Sequence, residues 1–97
     1  MPKLQSVEKT SDGKHKYAAT FLMDTGRTRT TKFGASGMDD YTITHDKDQR
    51  ERYRTRHAKD LQTNDPTKAG YLSYYLLWGD STSFSTNLSS FKRRFNL

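Results

Sequence analysis

Lys16-Tyr17-Ala18-Ala19-Thr20-Phe21-Leu22-Met23 stands between two turn signals, Ser11-Asp12-Gly13-Lys14 before it and Asp24-Thr25-Gly26 after it. Tyr17, Ala19, Phe21 and Met23 recur at period two, with Ala18, Thr20 and Leu22 on the other parity. That is the pattern of a strand with one face buried. Asp-Gly supplies the backbone angles of a tight hairpin, so the chain reverses ahead of this strand and, at Asp24-Thr25-Gly26, again behind it. Leu4 to Thr10, alternating about Val7, reads as the strand before; the Thr-rich run Arg27 to Phe33 reads as the strand after. Residues 3–35 therefore form a three-stranded antiparallel β-meander.

Gly34-Ala35-Ser36-Gly37 breaks the last strand, and Met38 to His45, with Asp39-Asp40-Tyr41 inside it, reads as a connection. From Asp46 the pattern turns helical. Asp46 and Asp48 sit where carboxylates complement the helix dipole. Asp46–Arg50, Lys47–Glu51, Asp48–Arg52 and Arg56–Asp60 are spaced for ion pairs. Tyr53, His57 and Leu61 make a thin apolar stripe on a helix otherwise polar all round, which predicts an exposed, weakly anchored element. Asp65-Pro66 reads as N-cap and first residue of a second helix that turns Ala69, Tyr71, Leu72, Tyr75 and Leu76 inward and stops at Gly79. Asp80 or Ser81 then caps a third helix, in which Phe84, Leu88, Phe91 and Phe95 recur at four, three and four residues. The fold class is α+β: one domain over residues 1–97, the meander at 3–35 followed by a three-helix part at 46–95. The last two helices are expected to supply most of the core.

Composition narrows the function. The chain has no cysteine, which excludes disulfides and thiolate metal sites. No apolar run approaches the ~18 residues that cross a bilayer, and Met1-Pro2-Lys3-Leu4-Gln5-Ser6 lacks the apolar stretch of a secretory signal. An intracellular protein without a membrane partner is expected. Lys and Arg number 17 against 11 acids, a net charge of +6, and such a surface gathers polyanions, nucleic acid or acidic protein.

No set of residues reads as catalytic. His15, His45 and His57 lack the spacing of a metal site, and Asp39-Asp40 beside Gly37 reads as turn chemistry. The sequence thus predicts a non-enzymatic protein with no cofactor, no metal and no small-molecule substrate. Two surfaces are candidates. Lys14, Lys16, Arg27 and Arg29, read as the open face of the sheet, with Arg50 and Arg54 of the first helix, are candidate phosphate contacts. Tyr74 and Trp78, four apart and partly opposite the inward stripe, are a candidate exposed anchor for a protein partner. Helical spacing assigns the aromatics from Tyr71 to Phe95 mainly to the core rather than to base stacking.

Four stretches occur together and in order: Lys32-Phe33-Gly34-Ala35-Ser36-Gly37-Met38-Asp39-Asp40-Tyr41-Thr42, then Arg52-Tyr53-Arg54-Thr55-Arg56-His57, then Asn64-Asp65-Pro66 through Ala69-Gly70-Tyr71-Leu72-Ser73 to Leu76-Leu77-Trp78, and finally Phe91-Lys92-Arg93-Arg94-Phe95. In these the chain resembles a family of small basic proteins encoded by giant nucleocytoplasmic DNA viruses, including algal ones. It departs after Trp78, where Gly79-Asp80-Ser81-Thr82-Ser83-Phe84 replaces the family's Lys-Pro-Thr-Leu-like step. That leaves open the start of the final helix, not its existence. The resemblance implies a virion-associated structural protein, a minor capsid or capsid-cementing component partnered by capsid or other virion proteins. It would be found in the virion and, during infection, in the host cytoplasm or nucleus. A DNA-binding accessory protein, with nucleic acid as partner, is the alternative.

Overall fold

The alternation of the second strand sets the sheet. A computed structural model describes residues 2–97; Met1, the first residue of the expected domain, lies outside the described residues. β1 (Lys3–Lys9), β2 (His15–Leu22) and β3 (Thr28–Ala35) form an antiparallel sheet in the order β1-β2-β3. Tyr17, Ala19 and Phe21 lie opposite Phe33, Thr31 and Arg29 of β3, while Val7 and Leu4 of β1 lie opposite Ala19 and Phe21. Leu4, Ala19, Phe21 and Phe33 are buried, so this is the face the helices cover. The strand continues through Gly34 to Ala35, two residues past its expected end at Phe33, and Gly34, with φ +76, passes close to the helical layer. A Cβ there would sit 2.8 Å from Leu77 Cδ1.

The helical part is α1 (Tyr41–Thr44), α2 (Lys47–His57), α3 (Ala69–Leu72) and α4 (Phe84–Arg94). The α+β class stands, but the described residues form four α-helices rather than three. The additional one, α1, lies in the segment expected to be a plain connection. Asp40 creates it: its carboxylate accepts from Thr42 N at 2.9 Å and satisfies an N–H that the first turn leaves unpaired. Asp46 does the same for α2, accepting from Asp48 N and Gln49 N. That role withdraws Asp46 from the expected pair with Arg50. Arg50 and Arg54 instead pair with Glu51, and His57 pairs with Asp60 just beyond the helix.

A 3-10 turn, Ala58–Thr63, prolongs α2. Asp65 caps a turn rather than a helix: Thr67 donates to it from both N and Oγ1, and α3 begins only at Ala69, which is exposed. Beyond Leu72 the chain widens into a π-helical turn, Ser73–Leu77, in which Trp78 N donates to Ser73 O, five residues back, at 3.1 Å. One residue is thereby inserted into the helical repeat. Leu76, Leu77 and Trp78 all end up buried.

Trp78 is consequently part of the core and not an exposed anchor. Ser83, rather than Asp80 or Ser81, caps α4 through Thr86 N. The α4 stripe packs as its spacing predicts, with Phe91 buried and Phe84, Leu88 and Phe95 against the core. Asn87, also buried, donates to Leu76 O and Ser81 O and accepts from Ser81 N. It fastens the connection after Trp78 to α4.

Gly79 fills the gap between these elements, and a Cβ there would lie 2.3 Å from Tyr75 O and 2.8 Å from Asn87 Cγ. Gly79→Ala is expected to lower unfolding free energy in urea by about 1–3 kcal/mol, the usual effect of overpacking.

Candidate functional site

The six expected phosphate contacts separate into two groups. Lys16 Nζ lies 2.6 Å from Asp40 Oδ2, a pair with only 15% and 2% of the side chains exposed. Arg54 donates from Nε to Trp78 O at 2.8 Å and from Nη2 to Asp80 Oδ1 at 3.0 Å. Arg50 donates to the carbonyls of Gly79 and Asp80 and lies over the Tyr41 ring, 4.7 Å from its centroid. All three cations are occupied inside the fold, two of them saturating carbonyls at the chain exit behind the π-helical turn. Lys14, Arg27 and Arg29 are exposed.

Arg29 does not belong to the open face of the sheet. Its register partner is Phe21, so it projects from the helix-covered side at the sheet's end, 3.9 Å from Asp65. The open face presents Thr28, Thr30 and Lys32 opposite Leu22, Thr20 and Ala18. At the far hairpin, Asp12 accepts from Lys14 N and His15 N and pairs with His15 and Lys32. The bonds from His15, first through its backbone N–H, hold the Asp12 carboxyl far below the usual carboxylate range.

Cations from four segments meet at the end of the sheet formed by the β2–β3 turn. Lys3 pairs with Leu22, which pairs in turn with Thr28, next to Arg27. The end of the chain lies alongside: Leu97 O accepts from Leu4 N, and Asn96 O accepts from Lys3 Nζ, both at 3.3 Å. Lys92 and Arg93, in the last turn of α4, are thus brought to this end, and both are exposed. Thr31 Oγ1 donates to Thr67 O at 2.8 Å, which places the Asp65–Lys68 turn beside Arg29. Lys3, Arg27, Arg29, Lys68, Lys92 and Arg93 share this end with Asp24 and Asp65, and of the six Arg29 and Lys68 act on the Asp65 charge. Burial would raise the Asp65 carboxyl, but bonds from Thr67 and the nearby Arg29 and Lys68 charges bring it below its ordinary value. Of these six cations only Arg27 and Arg29 were among the expected phosphate contacts; the others are distant along the chain and only the fold joins them.

A concavity of about 450 Å³ lies between the β3 end, the Asp40 loop and α2. Along it Tyr53 stacks on His57 at 4.1 Å and on Trp78 at 4.4 Å between ring centroids. Burial raises the Tyr53 phenol, with a hydrogen bond to Ser73 opposing, and burial beside Asp40 raises that of Tyr17. Its polar groups serve one another, as in Lys16–Asp40 and His57–Asp60. Among the described residues no buried side-chain N or O lacks a hydrogen-bond partner, and no three His, Cys, Asp or Glu side chains gather as a metal site. No helix of the described residues is long and apolar enough to cross a membrane.

The family of unknown function DUF5754 matches residues 6–57, more than half of the chain. The chain belongs to that family. The matched DUF5754 segment carries the sheet from Ser6, the Asp40 loop and α2, and with them Lys16, Arg50, Tyr53 and Arg54. The π-helical turn and α4 lie outside it. No curated protein and no solved structure matches the chain.

The two groups of cations differ in what their loss does. Lys16→Met leaves the buried Asp40 carboxylate without its charge partner and is expected to destabilise by about 3 kcal/mol. Arg27→Ser, at an exposed position, is expected to stay within about 0.5 kcal/mol of the parent. Urea denaturation of both variants checks this.

Proposed function

We propose that this DUF5754 member is a non-enzymatic, virion-associated protein of a large DNA virus that holds nucleic-acid backbone against one basic end of its fold. The observation that carries this reading is the convergence of Lys3, Arg27, Arg29, Lys68, Lys92 and Arg93 from four separate segments. Exposed cations gathered in this way neutralise phosphates and release counterions, which drives binding with little regard to sequence. The viral setting comes from the resemblance of the Lys32–Thr42, Arg52–His57, Asn64–Trp78 and Phe91–Phe95 stretches. Lys16, Arg50 and Arg54 drop out of the proposed contact set because their charges are already engaged.

A second reading, a minor capsid or capsid-cementing protein, has its own observation. Met38 and Ile43 flank the Asp40 loop and are 64% and 59% exposed, a place where another protein would cover apolar surface. Tyr74, half-buried, belongs to the protein surface in that reading, whereas Trp78 does not.

Anisotropy of a labelled DNA oligonucleotide, titrated at several salt concentrations, separates the two. The nucleic-acid reading expects micromolar binding at low salt and a log–log salt slope of about −4. The double variant Arg27→Ser, Arg29→Ser should reduce the magnitude of that slope by about 2. Absence of binding at low salt would reject this reading and leave the basic end for acidic protein.

A further inference from the structure

Adjoining the basic end through the last turn of α4 is a second cleft of about 300 Å³, between the π-helical turn and α4. Its volume is at the small end of the ~300–1,000 Å³ typical of sites for single small molecules. Tyr74, Tyr75, Arg54 and Arg94 line it, with Thr86 and Ser90 of α4 at its exposed rim. Tyr74 and Tyr75 are only half-buried, unlike Tyr71, Trp78 and Phe91 of the same aromatic set. Their ring centroids are 5.0 Å apart. Each ring has a guanidinium near it: Arg54 lies 5.7 Å from the Tyr74 centroid and Arg94 lies 5.1 Å from that of Tyr75.

The two arginines are not equivalent. Arg54 is fixed by Trp78 O and Asp80, so it serves as a rigid wall. Arg94 rests on the rings of Tyr75 and Phe95, and among the described residues no carboxylate lies within ion-pair distance of it. It follows Lys92 and Arg93 directly in the chain, so a backbone held at the basic end has a further cation waiting at the mouth of the cleft.

We infer that this cleft receives one unpaired nucleobase, which makes single-stranded nucleic acid the preferred form of the proposed partner. Aromatic faces stack on any base, and guanidinium planes add to that stacking. A base within a duplex is already stacked on both sides and presents no free face to Tyr74. Arg94 turns from the rings to the phosphate of the inserted nucleotide, while Thr86 and Ser90 lie within the rim for the base edge. This inference rests on the nucleic-acid reading above, and it adds the form of nucleic acid and the residues that distinguish it.

The test compares a labelled single strand with its own duplex, at equal length and one salt concentration, for the full chain and two variants. The parent is expected to bind the single strand about tenfold more tightly than the duplex, in line with one base stacked. Tyr74→Leu should abolish that preference while duplex affinity stays unchanged. Ser90→Phe, at an exposed position on α4, blocks the cleft from its rim and should do the same, so the test survives if Tyr74→Leu fails to fold. Equal affinity of the parent for both forms, or a preference that persists in the folded variants, overturns the cleft and leaves the basic end standing. Binding of neither form overturns both.

Discussion

Tyr53 stacked on Trp78, with Arg54 bonded to the carbonyl of that same tryptophan, joins the two parts of this molecule. No residue of α2 is buried, so burial of an apolar face cannot hold that helix in place. What holds it is a planar contact at 4.4 Å between ring centroids and a charge-assisted bond at 2.8 Å, made by adjacent residues to one target. Arg50 adds bonds to the next two carbonyls. The target is available only because the π-helical turn inserts one residue and brings Trp78 round to the inside. Gly79 and Asn87 then fix the chain as it leaves.

The same joint decides which positive charges remain for a partner. A net charge of +6 says nothing about where the cations lie. Arg50 and Arg54 satisfy carbonyls, and Lys16 neutralises a buried aspartate that caps α1. Each of these is a cation whose desolvation is offset by a specific acceptor, and such a group is a poor candidate for phosphate binding. Six of the exposed cations gather at the opposite end of the sheet from the Asp12 hairpin, where β1, the β2–β3 turn, the Asp65 turn and the end of α4 meet. Structure and proposed function therefore draw on different members of one residue class.

How much of this was legible beforehand follows from the range of each interaction. Period two in Tyr17–Met23 and the spacing of Phe84, Leu88, Phe91 and Phe95 are local patterns, and both elements form where those patterns place them. The α1 turn was hidden because Asp40 reads as an ordinary loop acid until its side chain is seen to cap Tyr41–Thr44 and to pair with a lysine 24 residues earlier. Trp78 was misplaced for a sharper reason. An α-helical period puts it on the face of Tyr74, and nothing in Ser73-Tyr74-Tyr75-Leu76-Leu77 announces the wider turn that moves it inward. The basic end was half legible: Arg27 and Arg29 are neighbours in sequence, but Lys3, Lys68, Lys92 and Arg93 reach them only through sheet register, the Thr31–Thr67 bond and the docking of residues 96–97 on β1.

If the proposed function holds, the working cations are those at the basic end and not those that secure α2. Nitrogen-15 amide spectra of the chain, recorded while a short oligonucleotide is added, test it residue by residue. With a duplex oligonucleotide, which leaves the Tyr74 cleft empty, shifts are expected in Thr25–Arg29, Asp65–Lys68 and Lys92–Leu97, with α2 unmoved along its length. Shifts centred on Arg50–Arg56 or on the Met38–Ile43 loop, with the basic end unaffected, would contradict it.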